Sequence, residues 1–397
     1  MKSQSRKTMT TFLIVAMIFA MFVTGCSGGK GDDSPIVLAS LVPLTGTTAE
    51  YGQYANDGIN LAIEEINAAG GVLGKKLVLK TYDDKGTAED GAAAAEIIVA
   101  DESIVAVASA HYASSVALVT AQIFQENGIP MITPSASHPD LCLIGDYIFR
   151  NNVTDKGECQ NVVQLMHKMG FKRYGILALT DDFGETIVKY FKELQAEIVD
   201  LDGGELVCVS TVPDDAIDFS ANVSEFIAAD CDVILSLANY STAAAFAVQL
   251  SKQRDDIPIV GMGSIYNPAF IELGGEAVEG STMLVMLDPN SKDPYISSFV
   301  KTFEEKYGYS PNYMAHNSYD STKAIAAAIV KAESIDREAI KNALYEISIE
   351  GTTGKISFNE EGECPKAEVV LSVQNGEFVG RTDIIIDLWD DYVDSLG

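Results

Sequence analysis

The sequence has a single tryptophan, four histidines and only 27 basic side chains against 57 acidic ones. A formal charge of -30 repels phosphate backbones and anionic lipid, which argues against nucleic-acid binding and electrostatic membrane adhesion. Long hydrophobic runs are also missing. The longest, Phe12 to Val23, has 12 residues, short of the ~20 that a spanning helix needs. No C-x-x-C occurs, and His111, His138, His167 and His316 stand apart, so no pair has zinc-ligand spacing. No G-x-G-x-x-G follows the first strand, and no G-x-S-x-G elbow is present. Gly70 to Lys76 fails as a phosphate loop because Lys76 stands where Ser or Thr must bind magnesium. No cofactor, metal or catalytic set is therefore expected. Asp pairs at 83–84, 181–182, 214–215 and 255–256 read as solvated strand ends and helix caps.

What is present begins with a leader. Lys2, Arg6 and Lys7 precede the apolar run, which stops at Val23-Thr24-Gly25-Cys26. A basic start, a short apolar core and small residues at its end make an export signal. The end resembles the bacterial lipobox, so residues 1–25 are expected to be a signal peptide and Cys26 a lipidated mature N-terminus. The alternative is ordinary cleavage nearby with Cys26 unmodified. Ser27 to Ser34 has three glycines and no apolar residue, so 26–34 reads as the anchor and a flexible tether. Cys142, Cys159, Cys208, Cys231 and Cys364 remain, an odd number. Cys142 and Cys159 are the closest pair for a disulfide, and buried free thiols fit as well.

From Ile36 onward, short apolar runs alternate with longer segments of helical spacing. Strands are expected at 36–42, 76–82, 104–109 and 130–133, with helices at 52–68, 91–100 and 114–127 between them. The pattern restarts after Phe149-Arg150-Asn151-Asn152-Val153, with strands at 173–178, 205–210, 233–237 and 257–260 and helices at 157–169, 185–197, 219–228 and 243–252. Helices at 295–307, 321–332 and 338–345 and strands at 354–358, 368–374 and 377–379 close the chain. Repeated β-α units predict an α/β protein of two similar doubly wound lobes with parallel sheets. Ligands of such sheets sit beyond the carboxyl ends of the strands, where helix N-termini expose N–H groups. Ser114 and Ser115 follow one strand end and Ser135 to Ser137 another, so both groups should face one cleft and suit a carboxylate.

The stretch Leu44-Thr45-Gly46, Glu50-Tyr51-Gly52, Ala62-Ile63-Glu64-Glu65-Ile66-Asn67-Ala68-Ala69-Gly70-Gly71 and Tyr82-Asp83-Asp84 resembles the opening of the leucine/isoleucine/valine-binding proteins. Ala110 to Ser115, Gly128 to Ser137, Phe149-Arg150, Asp182-Phe183-Gly184 and Ser318-Tyr319-Asp320 continue the likeness across residues 35 to 379. These relatives are extracytoplasmic solute-binding subunits of ABC importers, of the type I periplasmic-binding fold. The resemblance implies three hinge crossings, near 150–154, 280–288 and 348–354. Lobe 1 is then 35–150 plus 288–348, and lobe 2 is 151–287 plus 349–397. It implies a monomer, tethered to the membrane by lipid alone, that hands an amino acid or similar small carboxylate to a permease and ATPase complex. A ligand-sensing receptor domain is the alternative.

Carried over position by position, Ser114, Ser115, Ser135, Ala136 and Ser137 would hold the ligand's polar groups. Tyr51 covers it from the first lobe, and Phe183, Tyr240 and Tyr266 close from the second, with Tyr313 as a further wall. One departure stands out. The amino-acid binders place an acid for the ligand ammonium in the loop that here reads Gly261-Met262-Gly263-Ser264-Ile265-Tyr266, which has none. Either Asp155 or Asp181 replaces it, or the ligand is an amide, a urea or an aromatic or aliphatic acid.

Overall fold

Strand β1 (Ile36–Val42) is buried along its whole length, and its side chains divide by parity. Ile36 and Leu38 pack with Ile59 and Ile63 of α1 (Ala49–Ala68). Val37, Ala39 and Leu41 pack on the other face with Ile98 of α2 (Ala88–Ala100) and Phe124 of α3 (Ser114–Glu126). Helices on both faces are what a parallel sheet requires, and they explain why its strands read as unbroken apolar runs. β1 pairs in parallel with β2 (Leu77–Asp83) and β3 (Ile104–Ala110). The sheet continues through β4 (Met131–Thr133) and β5 (Ile148–Arg150) in the order β2-β1-β3-β4-β5. The computed structural model describes residues 34–396 apart from 203, 289, 290 and 388, so the leader and Cys26 lie outside the described residues.

The same winding restarts after α4 (Asp155–Lys168). It runs β6 (Arg173–Leu179), α5 (Asp182–Asp202), β7 (Glu205–Val212), α6 (Ser220–Ala228), β8 (Val233–Ser236), α7 (Tyr240–Ser251), β9 (Ile259–Gly261), α8 (Pro268–Gly274) and β10 (Thr282–Val285). The order β7-β6-β8-β9-β10 repeats that of the first sheet. The chain then leaves the second sheet for α9 (Pro294–Tyr307), α10 (Tyr313–Ala332) and α11 (Arg337–Leu344). Ile325 and Ile329 of α10 and Ile340 and Leu344 of α11 enter the same core as Ile36 and Ile59, so these helices belong to the first lobe.

The third crossing lies later than the expected 348–354. After the hairpin β11 (Ile349–Gly351) and β12 (Gly354–Ile356), residues Ile356, Phe358 and Cys364 still pack in the first lobe's core. Only β13 (Val369–Gln374) and β14 (Glu377–Gly380) join the second sheet, antiparallel, beyond β10. The packing therefore puts 349–364 with lobe 1. A three-residue strand carries too little pattern to say which of two sheets it will meet. The C-terminal α12 (Trp389–Leu396) returns to α4, where the Tyr392 hydroxyl meets His167 Nδ1.

α10 begins at Tyr313 rather than Ser321. Asn312 Oδ1 caps it by accepting the Met314 and Ala315 N–H groups at 3.0 and 3.3 Å. Its first turns were obscured because His316, Asn317 and Ser318 are polar, yet all three are fully buried. Asn317 Nδ2 donates to the Pro134 carbonyl at 2.8 Å, and Ser318 Oγ reaches Ser109 Oγ at 3.2 Å. This helix end therefore braces the loop that carries Ser135.

Candidate ligand-binding site

In each sheet the chain winds outward in opposite directions from the first strand, so the loops on either side of it part and leave a crevice at the carboxyl ends. Both crevices open into one cavity of about 330 Å³. Loops after all ten parallel strands reach it, from Thr47 and Thr48 beyond β1 to Met286 beyond β10. That volume is at the small end of ligand pockets, about 300–1,000 Å³, and suits a small solute.

Ser114, Ser115, Ser135 and Ser137 all line it. Ala113 is the cap residue of α3 and supplies no side-chain hydrogen bond, so Ser114 stands inside the helix and is not its cap. The first N–H groups of α3 have no intrahelical partner and point toward the cavity end, giving it positive potential without a basic side chain. Ser114 Oγ accepts the His138 N–H at 3.3 Å, and Ser135 Oγ lies 3.2 Å from the Tyr313 hydroxyl. Ala136 does not line the cavity: it is buried, its N–H donates to Thr133 Oγ1 at 3.1 Å and its carbonyl accepts from Arg150. Its part is to shape the 134–138 loop.

The turn before α3 is fixed from below. His111 adopts a φ of 69°, is fully buried, and lies with Nδ1 3.3 Å from Asp84 Oδ2 and Nε2 against Thr120 Oγ1. It thereby ties the loop after β3 to the loop after β2, and the next residues, Tyr112 to Ser115, are delivered to the cavity.

The aromatic wall is made by Tyr112, Tyr313 and, from the second lobe, Phe183. Tyr51 stands one layer behind, its ring stacked on Tyr112 at 4.2 Å and 15°. Its hydroxyl donates to the Ser264 carbonyl at 3.1 Å, across the cleft. Tyr240 is likewise a contact between lobes: its hydroxyl donates to Glu50, whose other oxygen accepts from Asn267 Nδ2 at 3.3 Å. Tyr266 faces elsewhere, packing on Phe378 and lining a separate hollow with Pro268 and Glu304. Tyr51 and Tyr240 thus join the lobes, Tyr266 lines the separate hollow, and the ligand wall is left to Tyr112, which sequence reasoning passed over.

The loop 261–266 lines the cavity with Met262, Gly263 and Ser264 and brings no charge. Acids arrive from other elements. Asp181 and Asp182 after β6, Asp214 after β7, Glu158 on α4 and Glu368 before β13 all line the hollow. Asp182 is exposed at the start of α5, as expected of a strand end, whereas Asp214 is half-buried and therefore not merely a solvated strand end. Asp181 Oδ1 also accepts the Gly184 N–H at 2.8 Å, and Asn239 Nδ2 donates to Asp214. Burial raises both carboxyls above the usual range, Asp214 adding to the effect on Asp181. Burial and the facing Glu368 push Glu158 well up, while burial against an Asn161 hydrogen bond pushes Glu368 up to about 7. Asp155 lies beneath the wall, fully buried, rather than on it. Glu158 could have been suspected as the residue one turn beyond Asp155. Glu368 could not, since it comes from a distant segment.

Among the described residues no group of three or more His, Cys, Asp or Glu side chains is arranged to hold a metal ion, and no helix is long and apolar enough to cross a membrane. The five described cysteines are free, and Cys142 and Cys159 belong to the cores of different lobes.

A cleft between two like-wound lobes, lined from every parallel strand end by hydroxyls, amides, rings and carboxylates, defines a solute-binding protein. Residues 35–373 match the periplasmic binding protein family, and the chain belongs to it. Its sequence is similar to the Leu/Ile/Val-binding protein BraC3 of Rhizobium johnstonii, 28% identical over 365 residues that cover 90% of this chain and 94% of that one. It is similar also to the leucine-, isoleucine-, valine-, threonine- and alanine-binding protein of Pseudomonas aeruginosa, 27% identical over 87% of this chain and 91% of the relative. Among solved structures, the leucine-binding protein LivK of Thermotoga maritima superposes with a TM-score of 0.79 at 27% identity, covering 87% of this chain and 98% of that one. These named relatives bind branched-chain amino acids, and this chain shares their family and fold.

Proposed function

We propose that this protein captures an amino acid or related small carboxylate between its lobes and delivers it to an ABC permease, anchored outside the cytoplasm by lipid on Cys26. The observation that carries this reading is the meeting of Ser114, Ser115, Ser135 and Ser137 at the open end of α3 within one small cavity. A carboxylate there accepts hydroxyl and backbone hydrogen bonds and meets the helix dipole, while Tyr112, Tyr313 and Phe183 bury the rest of the ligand. Its relatives are named for binding leucine, isoleucine and valine, which supports an amino acid. The three crossings act as the hinge, and affinity comes from contacts made only when both lobes engage the ligand.

Mass spectrometry of small molecules retained by the purified protein, followed by calorimetry with the compound found, tests the reading. Recovery of an α-amino acid or small carboxylate that rebinds supports it. A retained ligand without any carboxylate refutes the polar end of the site.

A further inference from the structure

Every cation at this cavity already has its own anion. Lys85, the one basic side chain among the described lining residues, pairs with Asp90 at 2.8 Å. Arg150, buried behind the site, is held by both oxygens of Glu363. Five lining carboxylates remain: Glu158 and Glu368, and Asp181, Asp182 and Asp214. They fall into two places. Asp181 and Asp214 follow neighbouring strands, β6 and β7, whereas Glu158 stands on α4 and Glu368 precedes β13. Glu368 is the charge that acts most strongly on Glu158, and Asp214 the one that acts most strongly on Asp181.

A second observation marks the glutamate end. Asp155 lies one turn before Glu158, on the same face of α4, and is fully buried. Neither of its carboxylate oxygens has a hydrogen-bond partner among the described residues. Burial raises its carboxyl above the usual range, and Ser137, Arg150 and His138 act against that. Gathering the buried Asp155 with the half-buried Glu158 and Glu368 is unfavourable unless protons or a cation neutralise their charge. An aliphatic amino acid brings one ammonium and one carboxylate. With its carboxylate on the serines and its ammonium on one acidic pair, the other pair keeps its hydrogen bonds but is left without a cation.

We infer that the ligand carries a second cationic group, seated between Glu158 and Glu368, and is therefore a small carboxylate with two cationic groups, of the diamino- or guanidino-acid class. This rests on the proposed amino-acid reading of the cavity.

The test is calorimetry on the full mature chain, stripped of ligand by unfolding and refolding, with L-arginine, L-lysine and L-leucine in parallel. A basic amino acid should bind about 100-fold more tightly than leucine, and Glu158→Gln with Glu368→Gln should lower its affinity about thirtyfold while leucine loses less. Leucine binding as tightly as arginine and lysine overturns the inference and leaves the amino-acid reading standing. Failure of all three to bind overturns the inference, and the amino-acid reading falls with it only if the ligand retained by the purified protein is also no amino acid or small carboxylate. A melting curve reports whether the double variant folds, and if it does not, the panel on the unaltered chain still decides.

Discussion

Arg150 Nε donates to Glu363 Oε2 at 2.8 Å while its Nη2 meets Glu363 Oε1, and this forked pair joins the first connection between the lobes to the third. The guanidinium is fully buried and also donates from Nη1 to the carbonyls of Ala136 and His138 at 3.2 and 2.8 Å. One side chain thus sets the path of both connections and the shape of the loop that presents Ser135 and Ser137.

Removing the acid strands a buried charge. Glu363→Ala should destabilise the protein by about 3 kcal/mol in urea unfolding, the lower part of the range for breaking a buried pair because Glu363 is 17% exposed. A loss under about 1 kcal/mol would show that water already supports the pair.

The serine end of the cavity has its own prediction. Ser114→Ala with Ser135→Ala should weaken ligand binding about tenfold, ~1.4 kcal/mol, by deleting hydrogen bonds to a carboxylate. An unaltered calorimetric affinity would falsify the carboxylate assignment.

His316 gives a pH dependence. It is fully buried, its ring nitrogens have no partner among the described residues, and burial lowers its pKa from 6.5 to about 3. Between these values the unfolded chain binds a proton that the folded chain does not, so stability falls as pH drops from 6.5 and levels off near 3. The contribution is up to about 1.4 kcal/mol per pH unit. In His316→Gln, urea titrations at pH 6.5 and 4.5 should differ by less than in the parent chain; an equal difference removes His316 as a cause.

The anchor is tested in the cell. Cys26→Ser should abolish incorporation of labelled fatty acid and move the protein from the membrane fraction to the soluble exported fraction. Continued membrane association would mean that something other than lipid on Cys26 holds it.

Much of this architecture was legible because its physics is local. Ile36 to Val42 reads as a strand since burial on both faces demands an apolar side chain at nearly every position. The serines at 114, 115, 135 and 137 were legible for a related reason: loops at carboxyl ends of parallel strands converge whatever their details. Tyr51, Tyr240 and Tyr266 mark the limit. Whether a ring at such a position faces ligand, the other lobe or a separate hollow depends on which layer is innermost. Tyr112, one stack closer, took the position.

The sequence by itself determined two like-wound lobes, the strand ends that carry the polar site and the absence of an acid at 261–266, because periodicity and local chemistry need no knowledge of distant partners. Only the tertiary structure decided where the cavity's negative charge comes from and where the last crossing falls. Glu158 and Glu368 are 210 positions apart in the chain and meet only when α4 and the strand entering β13 pack at the same seam. No local pattern encodes such a pairing, since its energy depends on desolvation that exists only once both lobes are formed.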